Sequence, residues 1–308
     1  MELHHRLGHI ALRAIRELVS GGCITGVALV PSDEPEACKV CVHAKSTWKP
    51  VPEVRQGERA EEMGEEIHSD LWGAARIATL GARKYYISFT DDKTRFSALY
   101  LLRLKSEAFD VFKAFEAWLE THHGQCIKYL NTDRGGKYIS DEFKTHLEAR
   151  GIVAKLSVHD THEEAGVAEC LNRTLMEKTR ALLLQSGLPK SLWGEAVLHV
   201  TWLKNRTSMK ALGGMTPFEA VTGRAPGLAG LPVWGAKVWV YDTSTGKLGV
   251  RTKDARWVGF DAQSCGHRVY WPDGRRVTIE RNVRFSVDEP TVVYEDDCHE
   301  LVRRLAVF

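Results

Sequence analysis

The chain has no apolar run approaching the roughly 20 residues that a bilayer-spanning helix needs. Its opening Met1-Glu2-Leu3-His4-His5 carries none of the succession of a secretory signal. Nor is there an excess of one charge: 42 Lys and Arg stand against 40 Asp and Glu, a net of +2. Overall basicity therefore gives no argument for a nucleic-acid partner. Internal repeats and low-complexity tracts are absent. The seven cysteines are scattered and odd in number, and only Cys38 and Cys41 lie close together. That pattern speaks against a disulfide framework and predicts a reducing, intracellular compartment, no membrane partner, and metal binding at the close pair.

What is present is an ordinary globular composition: 308 residues, 44% hydrophobic and 27% charged, enough for two or three domains. Residues 1–45 read as a small helical module. Ala11 to Val19 carries apolar residues at helical spacing, and Gly21-Gly22 stops it. His4-x4-His9 and Cys38-x2-Cys41 supply four N/S donors, the set for a structural zinc ion with no open position. A module this small has too little core to fold easily without such a staple. His5 competes as a ligand on spacing alone, and incidental histidines beside two reduced cysteines are the plainer alternative.

Residues 46–64 are polar, contain Pro50, Pro52 and Gly57, and read as a linker. Residues 65–225 then alternate in period. Strands are predicted at 66–71, 84–90, 97–104, 127–131 and 152–158. Helices are predicted at 106–121 with Ser106 as N-cap, 140–149, 164–186 and 191–205. The order β-β-β-α-β-α-β-α predicts an α/β fold, a mixed five-stranded sheet with flanking helices. Residues 233–290 shift to short alternating strands at 237–241, 255–260, 268–271 and 275–285, with a hairpin signal at Pro272-Asp273-Gly274, which predicts a small β-barrel; 291–308 form a tail. Residues 236–285 hold ten basic and five acidic residues, a local excess of +5 that suits phosphate contact or, more plainly, a solvated face.

Three acids stand out. Asp70 lies in the first strand, Asp133 ends the fourth, and Glu169 opens the long helix, with thirty-five residues (134 to 168) between the last two. Two strand-end carboxylates and one helix carboxylate can converge to hold two divalent ions, Mg²⁺ or Mn²⁺, about 4 Å apart for phosphodiester chemistry. Asp91 and Asp92 also follow a strand and compete on spacing. Arg173 shares the Glu169 face one turn on and suits a phosphate.

The ordered motifs resemble the integrase of a copia-type long-terminal-repeat retrotransposon over nearly the whole chain. Leu3-His4-His5-Arg6-Leu7-Gly8-His9 with Cys38-x2-Cys41 is similar to that family's pre-integrase zinc domain. His68-Ser69-Asp70-Leu71-Trp72-Gly73, Asp91-Asp92-Lys93-Thr94-Arg95 and Thr132-Asp133-Arg134-Gly135-Gly136-Lys137-Tyr138 resemble the catalytic core. Gly166-Val167-Ala168-Glu169 with Asn172-Arg173-Thr174-Leu175 does too, and the β-rich tail resembles the family's SH3-like domain.

The resemblance implies an RNase H-like fold in which Asp70, Asp133 and Glu169 hold the metals. Arg173, Asn172 and Lys137 would contact DNA. Also implied are 3′-end trimming and strand transfer on double-stranded DNA (element ends and target), a homo-oligomer joining two ends, and action in the nucleus after a cytoplasmic precursor particle. The chain reads as a piece of a longer polyprotein. It departs from the family before Glu169, where His162 and Ala165 replace the usual Pro and Asn, and just after it, where Cys170 replaces the usual Arg. That loss of a cation and an amide supports an inactive or nucleic-acid-binding alternative. The acids alone would also allow an RNase H-type nuclease.

Overall fold

The computed structural model describes residues 2–27, 29, 38–45, 59–132, 141–156, 162–242, 251–261, 263–264 and 266–286, with residues 45, 156 and 162–166 described by backbone alone. Five strands form the first sheet: β1 (Glu66–Trp72), β2 (Tyr85–Asp91), β3 (Ser97–Leu102), β4 (Tyr129–Thr132) and β5 (Val153–Leu156). Their order is β3-β2-β1-β4-β5. The first three run antiparallel to one another, and β1, β4 and β5 run parallel. This is the mixed five-stranded α/β arrangement that the alternating periods predict.

Period-two alternation gives the sheet two unlike faces. Ile67, Ile87, Phe89, Ala98, Tyr100, Leu102 and Leu130 point to one side. There Phe112, Phe115, Trp118 and Leu119 of α4 (Ala108–His123) and Phe143 and Leu147 of α5 (Asp141–Arg150) cover them. Phe89 and Phe115 stack at 4.5 Å. The opposite face carries a polar row in register across all five strands: Ser97, Thr90, His68, Asn131 and Lys155. Two helices close this face, α6 (His162–Ser186) and α7 (Trp193–Asn205). Leu171, Leu175 and Leu182 of α6 meet Trp193, Ala196, Val197 and Val200 of α7 at helical spacing. Lys204, at the end of α7, reaches back to Ser97 Oγ (2.7 Å), and burial pulls its pKa down to about 7.

Ser106 is not the N-cap of α4. Residues Lys105–Glu107 form a 3₁₀ turn first, and Glu107 takes the cap position without a side-chain cap bond. Its carboxylate instead accepts from the Arg103 amide at 2.9 Å, so the turn is tied backwards to the strand end.

The second sheet has the order β10-β6-β7-β8-β9, all antiparallel, from β6 (Lys237–Tyr241), β7 (Thr252–Phe260), β8 (His267–Trp271), β9 (Arg276–Glu280) and β10 (Val283–Phe285). The single strand expected over 275–285 breaks at Arg281-Asn282, because its last residues leave β8 and pair with β6. A register shift between Trp257 and Gly259 bends β7. Gly259 takes φ +136° there, a conformation open to glycine, with the His199 ring 3.5 Å from where a Cβ would sit.

The N-terminal helices α1 (Glu2–Arg6), α2 (Leu12–Ser20) and α3 (Lys39–Lys45) do not enclose a core of their own. Leu7, Ile10, Ile15, Leu18 and Ile24 share one cluster with Leu203 of α7, Leu228, Leu231, and Val238, Val240, Trp257 and Val269 of the second sheet. The N-terminal helices thus pack on the second sheet, and Arg6 seals the seam by donating to the Leu231 carbonyl at 2.6 Å.

His199 sits in this seam, stacked on Trp202 and edge-on to Trp257, with neither ring nitrogen hydrogen-bonded. Desolvation first, and Arg206 second, push its pKa down to about 3; burial pushes His267 to about 4. Both folded values lie below the unfolded one of about 6.5, so the unfolded chain binds more protons in between. Stability is therefore expected to fall as pH drops below about 6.5, by up to roughly 1.4 kcal/mol per pH unit for each ring. His199→Leu is expected to raise stability at neutral pH by about 1–3 kcal/mol, because two buried unpaired polar atoms disappear, and to flatten the acid limb. Urea midpoints at pH 7.5 and 5 check both effects; an unchanged or lower midpoint at both would contradict this account of the ring.

Candidate active site and metal centre

Asp70 is the fifth residue of β1 and follows Glu66 and His68 along the polar face. Its carboxylate is held from two sides. Oδ1 accepts from the Leu71 amide at 2.7 Å, and Oδ2 accepts a short hydrogen bond from Nδ2 of Asn172. Asn172 in turn accepts from the Tyr86 hydroxyl at 2.8 Å. Tyr86 is buried on β2 under a stacked Trp72. Desolvation first, and the Asp70 charge second, push its pKa well above the usual range, so it stays protonated and donates. With Tyr86 as donor, the Asn172 amide is oriented with its NH₂ toward Asp70. Asn172, expected at the DNA, is 8% exposed and hydrogen-bonds the Asp70 carboxylate.

Glu169 lies one turn before Asn172 on α6, so the helix that orients Asp70 also carries the second acid. Because α6 begins at His162, Glu169 is about two turns in rather than at the opening. Its side chain is 68% exposed and 3.8 Å from Arg173. Asp133 and Lys137 lie outside the described residues; the last described register pair of β1 with β4 is Ser69–Thr132.

The competing acids are engaged elsewhere. The Asp91 carboxylate accepts from the Gly64 and Thr94 amides (2.6 and 2.7 Å) and the Thr94 hydroxyl (2.6 Å), closing the turn after β2. Asp92 pairs with His68 Nε2 (2.9 Å) and Arg95 (3.2 Å), while Glu66 takes Asn131 (2.6 Å) and Lys155 (2.9 Å). Glu66, His68 and Asp92 are close enough to share a cation. Two carboxylates matched by Arg95 and Lys155 already balance, however, which fits a buried structural network. The Asp92 amide bonds the Glu66 carbonyl, four residues or about 13 Å along β1 from Asp70.

The N-terminal donors converge. Gly8 (φ +67°) and His9 (φ +61°) both take left-handed backbone after α1, which folds His9 back so that its amide bonds the His4 carbonyl at 2.8 Å. His9 Nδ1 then lies 3.2 Å from His4 Nε2, 3.5 Å from Cys38 Sγ and 3.6 Å from Cys41 Sγ, and Cys41 Sγ lies 3.2 Å from His4 Nε2. A tetrahedral Zn²⁺ with bonds of 2.0–2.3 Å has edges of roughly 3.3–3.8 Å, and these four spacings lie close to that range. His5 also brings a nitrogen within 4.8 Å of the His4, His9 and Cys38 donors and stays a competing ligand, while Cys41 lies within 3.6 Å of both His4 and His9. His4 Nδ1 donates to the Ile10 carbonyl at 2.7 Å, which leaves Nε2 as its ligand atom.

The basic excess of the second sheet is partly spent internally. Arg268 grips Glu195 of α7 with two nitrogens (2.6 and 3.0 Å) and Asp261 with a third (3.1 Å); Lys237 pairs with Asp254 and Lys253 with Asp242. Lys247 lies outside the described residues.

Residues 236–296 match the retroviral polymerase SH3-like domain. The chain is 30% identical over 291 residues to the retrovirus-related Pol polyprotein from transposon TNT 1-94 of Nicotiana tabacum, covering 93% of this chain and 21% of that one. It is 29% identical over 285 residues to the corresponding polyprotein from transposon RE2 of Arabidopsis thaliana, covering 92% and 19%. Among solved structures, the HTLV-2 integrase catalytic core domain in complex with magnesium aligns at a TM-score of 0.39 and 19% identity, over 53% of this chain and 99% of that one. Over nearly its whole length the chain is similar to the retrovirus-related Pol polyproteins of plant transposons, of which it spans about a fifth, and its residues 236–296 match the retroviral polymerase SH3-like domain.

Proposed function

We propose that this chain is an integrase, a polynucleotidyl transferase that trims DNA 3′ ends and joins them to target DNA. The observation that carries the reading is Asp70, held at the open end of β1 by Asn172 of the same helix that presents Glu169. Asp70, Asp133 and Glu169 would hold two Mg²⁺ or Mn²⁺ ions, hard cations suited to carboxylate oxygens. Bound there, the ions supply charge neutralisation at the scissile phosphate and activation of the attacking hydroxyl. The residues do the rest by position. Asn172 fixes Asp70 in one rotamer, and Arg173, 40% exposed beside Glu169, offers a guanidinium to a DNA phosphate, with Lys137 a further contact. Double-stranded DNA is the substrate, two ends require a multimer, and the site of action is the nucleus. The His4, His9, Cys38, Cys41 centre takes structural zinc.

A second reading, a nucleic-acid-binding protein without turnover, draws on Cys170, an uncharged and only partly buried neighbour of Glu169. One experiment separates the readings. A duplex with a recessed 3′-hydroxyl and the same duplex with a 3′-deoxy end are incubated with Mn²⁺ or Mg²⁺. Products longer than the input, formed only from the hydroxyl-bearing duplex, are expected. Shortened products alone would indicate a nuclease, and retained duplex without product would favour the binding reading.

Asn172→Ala is expected to slow strand transfer by about 10- to 100-fold and raise the metal concentration needed, the usual scale for a residue that orients a metal ligand. A titration of rate against Mn²⁺ checks it; an unchanged curve would contradict the positioning role.

A further inference from the structure

His9 is fully buried, and its second ring nitrogen reaches a partner outside the N-terminal module. Nε2 lies 2.6 Å from Oε1 of Gln185, a residue 176 positions away in the last turn of α6. The other three donors of the centre surround Nδ1, so Nδ1 is the ligand atom and Nε2 carries the proton that Gln185 accepts. The contrast with His4 is informative, because its second nitrogen is held by Ile10 inside the module itself. One histidine is therefore oriented locally, and the other by the helix that also bears Glu169.

We propose that Gln185 is a positioning residue of the zinc centre, so that zinc affinity is set jointly by the N-terminal module and by α6. The inference rests on the zinc reading above and deepens it. An oxygen accepting from the distal N–H of a ligating imidazole fixes the ring's tautomer and plane and raises its basicity. By linkage, an interaction that strengthens zinc binding when the module is seated on α6 is strengthened equally by zinc, so the ion fastens the module to the C-terminal end of this helix.

The test uses the full chain and measures zinc affinity by competition with a chromophoric chelator, together with the visible spectrum of the cobalt-loaded protein. Gln185→Met keeps length and helix propensity but removes the acceptor; Gln185→Glu keeps an acceptor. The expected result is one zinc per chain in all three proteins, an affinity weakened about 10- to 100-fold in Gln185→Met, and an affinity restored in Gln185→Glu. A Gln185→Met affinity equal to that of the unaltered chain would overturn the inference while leaving the zinc centre standing. Equal weakening in both variants would also overturn it, since it would mean that packing rather than hydrogen bonding matters. An unaltered chain that takes up no zinc would overturn the zinc reading itself.

Discussion

Asp70→Asn is expected to lower strand transfer by about 10³-fold or more, roughly 4 kcal/mol of barrier, while leaving the fold in place. The substitution keeps the shape but replaces a charged metal ligand with an amide. It also creates a local mismatch. Asp70 now accepts from Leu71 N with one oxygen and from Asn172 Nδ2 with the other. An amide has a single acceptor oxygen, so one of those donors would face an NH₂ group. The stability cost should stay near 1 kcal/mol, about one hydrogen bond. Most of the effect should then appear in the rate, not in the melting temperature, and weaker binding of Mn²⁺ should accompany it. A variant that retains strand transfer within a few-fold would remove Asp70 from the metal site.

Cys41→Ser is expected to unseat the N-terminal module and loosen the second sheet with it. Cys41 contacts both histidines, at 3.2 and 3.6 Å, so its loss opens two edges of the tetrahedron. Structural zinc contributes on the order of 10 kcal/mol in small peptide modules. Here part of the module is held by Leu203, Leu231 and Trp257 as well, so the loss should be smaller, roughly 5 kcal/mol. Hydrogen exchange gives the pattern. Protection should fall over 12–20 and over 237–241 and 252–260, which share that cluster. It should persist over 86–90 and 98–102, which pack on α4. The same pattern is expected on adding a strong zinc chelator. Protection unchanged over 12–20 would contradict a folding role for the ion.

The strands of the first sheet were legible because short apolar runs are bounded by turn residues among the first three and by runs of helical period around the last two. Asp70 and Glu169 were legible as a pattern of strand end and helix. The hydrogen bond from Asn172 to Asp70 was not, since Tyr86, Asn172 and Asp70 are brought together by three elements whose contact no spacing encodes. The His4, His9, Cys38, Cys41 set was legible from local chelate spacing, whereas Gln185 lies on a helix that nothing in the sequence places beside it. Ser106 read as a cap because hydroxyl residues favour that position; an intervening 3₁₀ turn moved the helix start past it. The break at Arg281-Asn282 was hidden because a strand that changes partner keeps its alternation. The shared core of the N-terminal helices and the second sheet was hidden for the same kind of reason: apolar positions such as Leu7 and Val238 declare that they are buried, not what buries them.

The most direct test of the central claim compares the unaltered zinc-loaded chain with Asp70→Asn and Glu169→Gln in a strand-transfer assay on a duplex with a labelled recessed 3′ end. The account predicts metal-dependent products longer than the input from the unaltered chain and none above background from either variant, with all three proteins folded. Products of equal yield from all three, or none from the unaltered chain, would contradict it.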